Sequence, residues 1–363
     1  MIRPRGIIEK LPVYVPGKTP EQIERELGIR DAVKMASNEN PFGASPAAVS
    51  AIRDFAPRAH LYPDGDCRAL KEALSAKLGT EPENIAVGNG SNEILELVAK
   101  VFLGPGDEAL YGAHGFVVYP IVTALSGAKG VVSPMPLLMH DLDDFAARIT
   151  SGTKVVFLAN PNNPTGTIFS KREFERFLSR VPESVVVVVD EAYFEYVDDP
   201  DYPDTLCYQA EREGIVTVRT FSKIYGLAGT RIGYAVASKE TAALINRAKE
   251  PFNVNSLAQT AALAALTDTR HCETSRKGNL EGLKYLSAQL DLMGVPHTDS
   301  RANFILADVG DGARAHELLT GRGIITRPVS AYGLDRHIRV TVGTRESNAA
   351  FVAALREVAG ETA

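Results

Sequence analysis

The amino-acid sequence predicts an α/β fold, a mostly parallel sheet flanked by helices, with a smaller α+β module at its C-terminal end. Three observations carry that expectation. From Asp31 onward, short apolar runs alternate with helical patterns, the rhythm of βαβ units. Val185 to Val189 is an unbroken valine run, and a strand apolar on both faces belongs in a parallel sheet covered by helices on both sides. After about Asn255 the texture changes to a long helical stretch rich in Ala, Leu and Lys, reaching about Met293.

Taken in order, residues 1–30 read as an arm, rich in Pro and charge and ending in a short helical pattern. Residues 31–252 form the large domain. Its strands are expected at Ile85–Gly88, Glu108–Tyr111, Lys154–Asn160, Val185–Asp190, Ile215–Thr220 and Ile232–Ala237. Helices are expected at Cys67–Leu78, Asn92–Phe102, Lys171–Leu178 and Lys239–Lys249. The boundary falls near Pro251, and residues 253–363 form the smaller domain. There, Asn303–Asp308, Ile324–Pro328 and His337–Val342 read as strands, and Ala313–Arg322 and the segment from Arg345 as helices.

Composition narrows the function. The 363 residues are 45 % hydrophobic and 23 % charged, an ordinary globular profile. A net charge of −6 argues against a nucleic-acid partner, whose phosphates recruit a basic face. No apolar run is long enough to span a membrane. The first 18 residues lack the apolar core of a secretory signal, so a cytoplasmic location is expected. Cys67, Cys207 and Cys272 are odd in number and far apart, which fits reduced thiols and no zinc site. The histidines show no metal-ligand spacing.

Ligands of open parallel sheets gather beyond the carboxyl ends of the strands. Here Ile85–Gly88 runs into Asn89-Gly90-Ser91-Asn92, and Lys154–Asn160 into Pro161-Asn162-Asn163-Pro164-Thr165-Gly166. Val185–Val189 runs into Asp190-Glu191-Ala192-Tyr193, and Ile215–Thr220 into Ser222-Lys223 with Arg231 beyond. An Asp at the end of an apolar strand needs a cationic or strongly donating partner, and a protonated pyridine nitrogen is one. A desolvated lysine can form a Schiff base with an aldehyde. A guanidinium, a hydroxyl and the amides opening a helix can hold a phosphate dianion. Pyridine, aldehyde and phosphate together describe pyridoxal 5'-phosphate, whose signature is a lysine Schiff base with an acidic pyridinium partner. Gly88-x-Gly90 is no dinucleotide fingerprint, because Glu93 occupies the third glycine position.

With these motifs the chain resembles the fold-type I aminotransferases, and within them the histidinol-phosphate aminotransferase group. Ser37-Asn38-Glu39-Asn40-Pro41, Tyr62-Pro63 and Arg339-Val340-Thr341-Val342-Gly343-Thr344-Arg345 extend the likeness over nearly the whole chain. The resemblance implies that Lys223 carries the cofactor and shuttles a proton. Asp190 faces the ring nitrogen, and Asn163 and Tyr193 face the ring hydroxyl. Ser91, Asn92, Ser222 and Arg231 hold the phosphate, and Phe116 stacks on the ring. Tyr62 reaches the phosphate of a neighbouring subunit, which implies a homodimer. Arg339 grips the substrate anion, Arg327 joins it when that anion is a phosphate, and Tyr14 of the arm lies near the same pocket. The small-molecule partners would be an amino donor and a 2-oxo acid.

Plainer readings stand beside these. Asp190 suits a helix cap, Asn162–Gly166 a tight turn, Phe116 a core, Tyr62 an interface and Arg327 a solvated surface. The implied reaction is transamination of histidinol phosphate with 2-oxoglutarate. An aminotransferase for aromatic or other amino acids, or a lyase or decarboxylase acting on a substrate such as threonine phosphate, would keep the same Lys223, Asp190 and Arg231.

Overall fold

A computed structural model describes residues 6–11, 17–209 and 212–358. In chain order the strands are β1 (Val33–Lys34), β2 (Ile85–Gly88), β3 (Glu108–Gly112), β4 (Lys129–Ser133), β5 (Thr153–Ala159) and β6 (Val186–Asp190). They continue with β7 (Ile215–Thr220), β8 (Gly233–Val236), β9 (Phe304–Asp308), β10 (Ile324–Ile325), β11 (Arg327–Val329) and β12 (Leu334–Thr341). Seven form one sheet in the order β2-β8-β7-β6-β5-β3-β4. Only β8 runs against its neighbours. The carboxyl ends of β2, β5, β6 and β7 therefore share one edge.

The valine run does what its pattern requires. Val186 and Val188 enter one core, with Phe157 and the helix Ser91–Phe102, while Val187 and Val189 enter the other, with Phe145, Phe174 and Phe177. Each valine so buried contributes roughly 1.5 kcal/mol or more. The helix Lys171–Leu178 is set by a capping box, in which Ser170 and Glu173 satisfy each other's backbone N–H groups.

Two differences from expectation have local causes. β4 was not expected: Lys129-Gly130-Val131-Val132-Ser133 is an edge strand, largely exposed, with too short an apolar run to stand out. The helical stretch expected to run to Met293 is two helices, Ser256–Ala265 and Thr269–Leu292. Asp268 divides them by accepting from the His271 N–H at 3.1 Å and capping the second.

The smaller C-terminal domain has an antiparallel sheet, β11-β12-β9, covered by the long helix Thr269–Leu292 and the last helix, Arg345–Val358. β1 pairs with β10, so the residues just after the arm cross to this side. The helix Ser256–Ala265 instead packs on Pro46–Phe55, in a core shared with Ile85, Val87, Phe221 and Tyr234 of the larger domain.

Candidate active site

The shared strand edge opens into a cavity of about 480 Å³. Ser91, Asn92, Phe116, Asn163, Asp190, Tyr193, Ser222, Lys223, Arg231, Arg327 and Arg339 all line it. Among the expected residues that the structure describes, Tyr62 does not. Tyr62 stands outside its own chain's cavity, 83 % exposed and stacked on Phe252 at 4.8 Å. Tyr14 lies outside the described residues; Gly17, three positions on, packs beside the Arg327 guanidinium.

Asp190 ends β6, buried, with Ala192 N–H donating to Oδ1 and Tyr119 Oη donating to Oδ2, both at 3.2 Å. Burial pushes its carboxyl up to about 6, against the pull of those two donors and of Lys223. The neighbouring residue fixes the strand end. Glu191 is buried against Arg219 of β7 at 2.8 Å and accepts from Thr205, while the Arg219 guanidinium lies 3.5 Å from the centre of the Phe194 ring. Removing one partner of such a pair costs about 3–5 kcal/mol. The pair locks the ends of β6 and β7 together, and so sets Asp190 against Ser222 and Lys223.

Lys223 follows β7, its ammonium nitrogen 5.5 Å from the centre of the Tyr193 ring. Desolvation first, and then the charge of Arg339, bring its amine down to about 8. Tyr193 is buried, its hydroxyl accepting from Asn38 Nδ2 at 2.9 Å, and burial pushes its phenol up to about 12. Asn38 is tied to the smaller domain as well, its N–H donating to Thr341 Oγ1 at 2.9 Å. Asn40 Nδ2 donates to the carbonyl of Ile224, beside Lys223, at 2.9 Å. The Ser37–Pro41 motif is thus a strap across both domains and the lysine loop.

The anion cradle is a matter of close approach. The helix Ser91–Phe102 begins after Gly90, which has φ of +82°. A Cβ on Gly90 would lie 2.4 Å from a terminal nitrogen of Arg231, so only glycine lets that guanidinium lie over the helix start. Ser222 Oγ accepts from Thr220 Oγ1 at 3.0 Å and keeps its own proton to donate. Asn162–Gly166 is the expected turn, closed by Gly166 N–H to the Asn162 carbonyl at 2.7 Å. It also supplies Asn163 Oδ1 to Arg339 Nη1 at 2.5 Å.

At the other end of the cavity, Arg339 of β12 and Arg327 of β11 are direct cross-strand partners. Arg339 also donates to the carbonyl of Ala36 at 2.8 Å, and its buried Nε finds no partner among the described residues. The two guanidinium-bearing positions thus face each other across the ladder, and both side chains line the cavity.

Tyr119, Tyr332, Asn38 and Arg219 were not singled out as site residues by sequence reasoning. Tyr119 sits in the apolar helix Val118–Leu125, where an aromatic reads as core. His114 proves a structural link: its Nδ1 lies 2.7 Å from the carbonyl of Tyr332, a lining residue of the smaller domain.

A part-buried lysine, a buried strand-end carboxylate and a helix start beside an arginine, all around one cavity, suit a class of group-transfer enzymes, and comparison with known proteins gives the same class. The family profile described as "Aminotransferase class I and II" matches residues 30–355. The chain belongs to that family, and it is a pyridoxal-phosphate-dependent aminotransferase. Among its curated relatives, the histidinol-phosphate aminotransferase of Moorella thermoacetica is 47 % identical over 98 % of this chain and 92 % of its own. Histidinol-phosphate aminotransferase 1 of Nitrosococcus oceani is 46 % identical over 98 % and 96 %. The crystal structure of histidinol-phosphate aminotransferase from Sinorhizobium meliloti, in complex with pyridoxal 5'-phosphate, superposes with a TM-score of 0.91 at 29 % identity. It covers 100 % of this chain and 99 % of that one.

The residues present fit that cofactor. The buried Asp190 suits a cationic partner, Arg231 lies against the glycine that opens the helix Ser91–Phe102, where a phosphate would meet both guanidinium and helix amides, and Phe116 offers an apolar wall.

Proposed function

We propose that this chain transfers an amino group between histidinol phosphate and 2-oxoglutarate, with its cofactor carried on Lys223. The observation that supports the substrate is the facing pair Arg327 and Arg339 in the cavity that Lys223 also lines. Two guanidinium forks suit a phosphate dianion better than a single carboxylate, and the relatives reported above bear that substrate in their names.

When bound, the cofactor supplies the aldehyde that takes up the amino group and a conjugated ring that stores the electron pair left as the Cα–H bond breaks. Lys223 holds it at rest, yields to the substrate amine, and then carries the proton from Cα. Its amine, lowered to about 8, has a working neutral fraction near neutral pH. Asp190 faces the ring nitrogen. Asn163 and Tyr193 face the ring hydroxyl, and Ser91, Asn92, Ser222 and Arg231 take the phosphate. Arg339 and Arg327 orient the substrate anion, with Tyr14 of the arm beside them.

Absorbance changes of the loaded protein, mixed separately with histidinol phosphate, phenylalanine and threonine phosphate, test the assignment. Histidinol phosphate is expected to react fastest. A clear win for phenylalanine, or release of carbon dioxide, would overturn it.

The same reading includes a cytoplasmic homodimer, divided into an arm (1–30), a cofactor-binding domain (31–252) and a smaller domain (253–363). Packing moves Val33–Lys34 toward the smaller domain and Ser256–Ala265 toward the larger. No helix among the described residues is long and apolar enough to cross a membrane. Tyr62, with Leu61 and Phe252 exposed beside it, is available to a second copy and not to its own cavity. Mixing Tyr62→Ala subunits with Lys223→Ala subunits is therefore expected to restore activity that neither variant has alone. No recovery in confirmed mixed dimers would mean that Tyr62 does not act across the interface.

A further inference from the structure

Tyr119 has no exposed surface. Its ring stacks on Phe157, centroids 5.0 Å apart and planes 7° from parallel, and meets Phe116 edge-on at 5.9 Å. Its hydroxyl donates to Asp190 Oδ2 at 3.2 Å, while among the described residues the other carboxylate oxygen accepts from the Ala192 N–H. A buried phenol needs an acceptor. Here the acceptor is Asp190, a buried carboxylate that lines the cavity, and the same phenol ring meets Phe116, the aromatic wall of that cavity.

We propose that Tyr119 is a positioning residue for the ring's protonation: by donating to Asp190 it keeps the proton shared between carboxylate and ring nitrogen on the nitrogen. The proposal rests on the cofactor reading above. A carboxylate and a ring nitrogen that share one proton have two arrangements, an ion pair and a neutral pair. Low dielectric favours the neutral pair. A donor to the carboxylate favours the ion pair, because it binds the anion more strongly than the acid. Of the groups that oppose the burial of Asp190, the Tyr119 hydroxyl contributes most, ahead of the Ala192 N–H and Lys223. Without it the proton moves to the carboxylate, and the ring loses the positive charge that makes it an electron sink.

The test uses holoenzyme loaded with cofactor labelled with ¹⁵N in its ring. In the unaltered protein the ring resonance is expected at its protonated position. Tyr119→Phe removes one oxygen from a packed site and should fold. It is expected to move the resonance toward the unprotonated position, as the sharing ratio changes by about 10- to 100-fold, the worth of one hydrogen bond to a charged group. Turnover should fall while KM for the phosphorylated substrate holds. Phe157→Leu loosens the packing around Tyr119 and keeps its hydroxyl, so it should lower the melting temperature and leave the resonance in place. A loaded Tyr119→Phe protein with an unmoved resonance overturns the proposal, as does a Phe157→Leu protein that shifts as far. Protein that takes up no cofactor in any form overturns the cofactor reading as well.

Discussion

Lys223→Ala is expected to abolish turnover while leaving the fold and most of the cofactor cradle intact. In the proposed reaction the side chain has two duties, holding the cofactor covalently and moving the proton from Cα. Loss of a positioned general base alone costs about 10²–10⁴-fold, and the slower exchange onto the substrate amine multiplies that figure. The half-reaction should therefore slow by at least about 10⁴-fold. Borohydride should fix the cofactor to the unaltered protein at Lys223 and to nothing in the variant. The proposed phosphate cradle, Ser91, Ser222 and Arg231 beside Gly90, does not include Lys223, so Lys223→Ala should still bind the cofactor reversibly. Retained turnover within 100-fold, once the variant is confirmed by mass, would remove the lysine from the mechanism.

Arg327→Ala is expected to divide substrates by the charge they carry. In the structure Arg327 faces Arg339 across the β11–β12 ladder, and both line the cavity. A substrate phosphate gains from both forks, an α-carboxylate chiefly from Arg339. Truncating one partner of a desolvated charge pair costs about 2–5 kcal/mol. kcat/KM for histidinol phosphate should therefore fall by roughly 10²–10³-fold, mostly through KM, while a neutral α-amino acid loses far less. Equal losses for both substrates would refute the phosphate assignment.

The parts of this site that could be read along the chain are those where one short segment carries both its secondary structure and its chemistry. The valines of β6 announce a doubly covered strand, and Asp190 follows at its carboxyl end. β7 ends in Ser222-Lys223 by the same logic, and Asn162–Gly166 declares its turn through Asn, Pro and Gly. β4 was hidden because an edge strand needs little apolar sequence. The break at Asp268 was hidden because a capping aspartate looks like any polar residue on a helical face.

What local pattern could settle was therefore the class of fold, the positions of most strands along the chain and the identity of the groups at their carboxyl ends. Backbone periodicity and turn chemistry act over a few residues, and these features need no more. What required the folded chain were contacts between distant segments: Tyr119 on Asp190, Asn38 on Tyr193, Arg219 on Glu191, and Arg327 opposite Arg339. Each pair comes from separate elements, and neither partner's local sequence names the other. Their roles arise from burial, which makes a buried hydrogen bond or charge matter far more than it would in water, and burial is a property of the packed molecule.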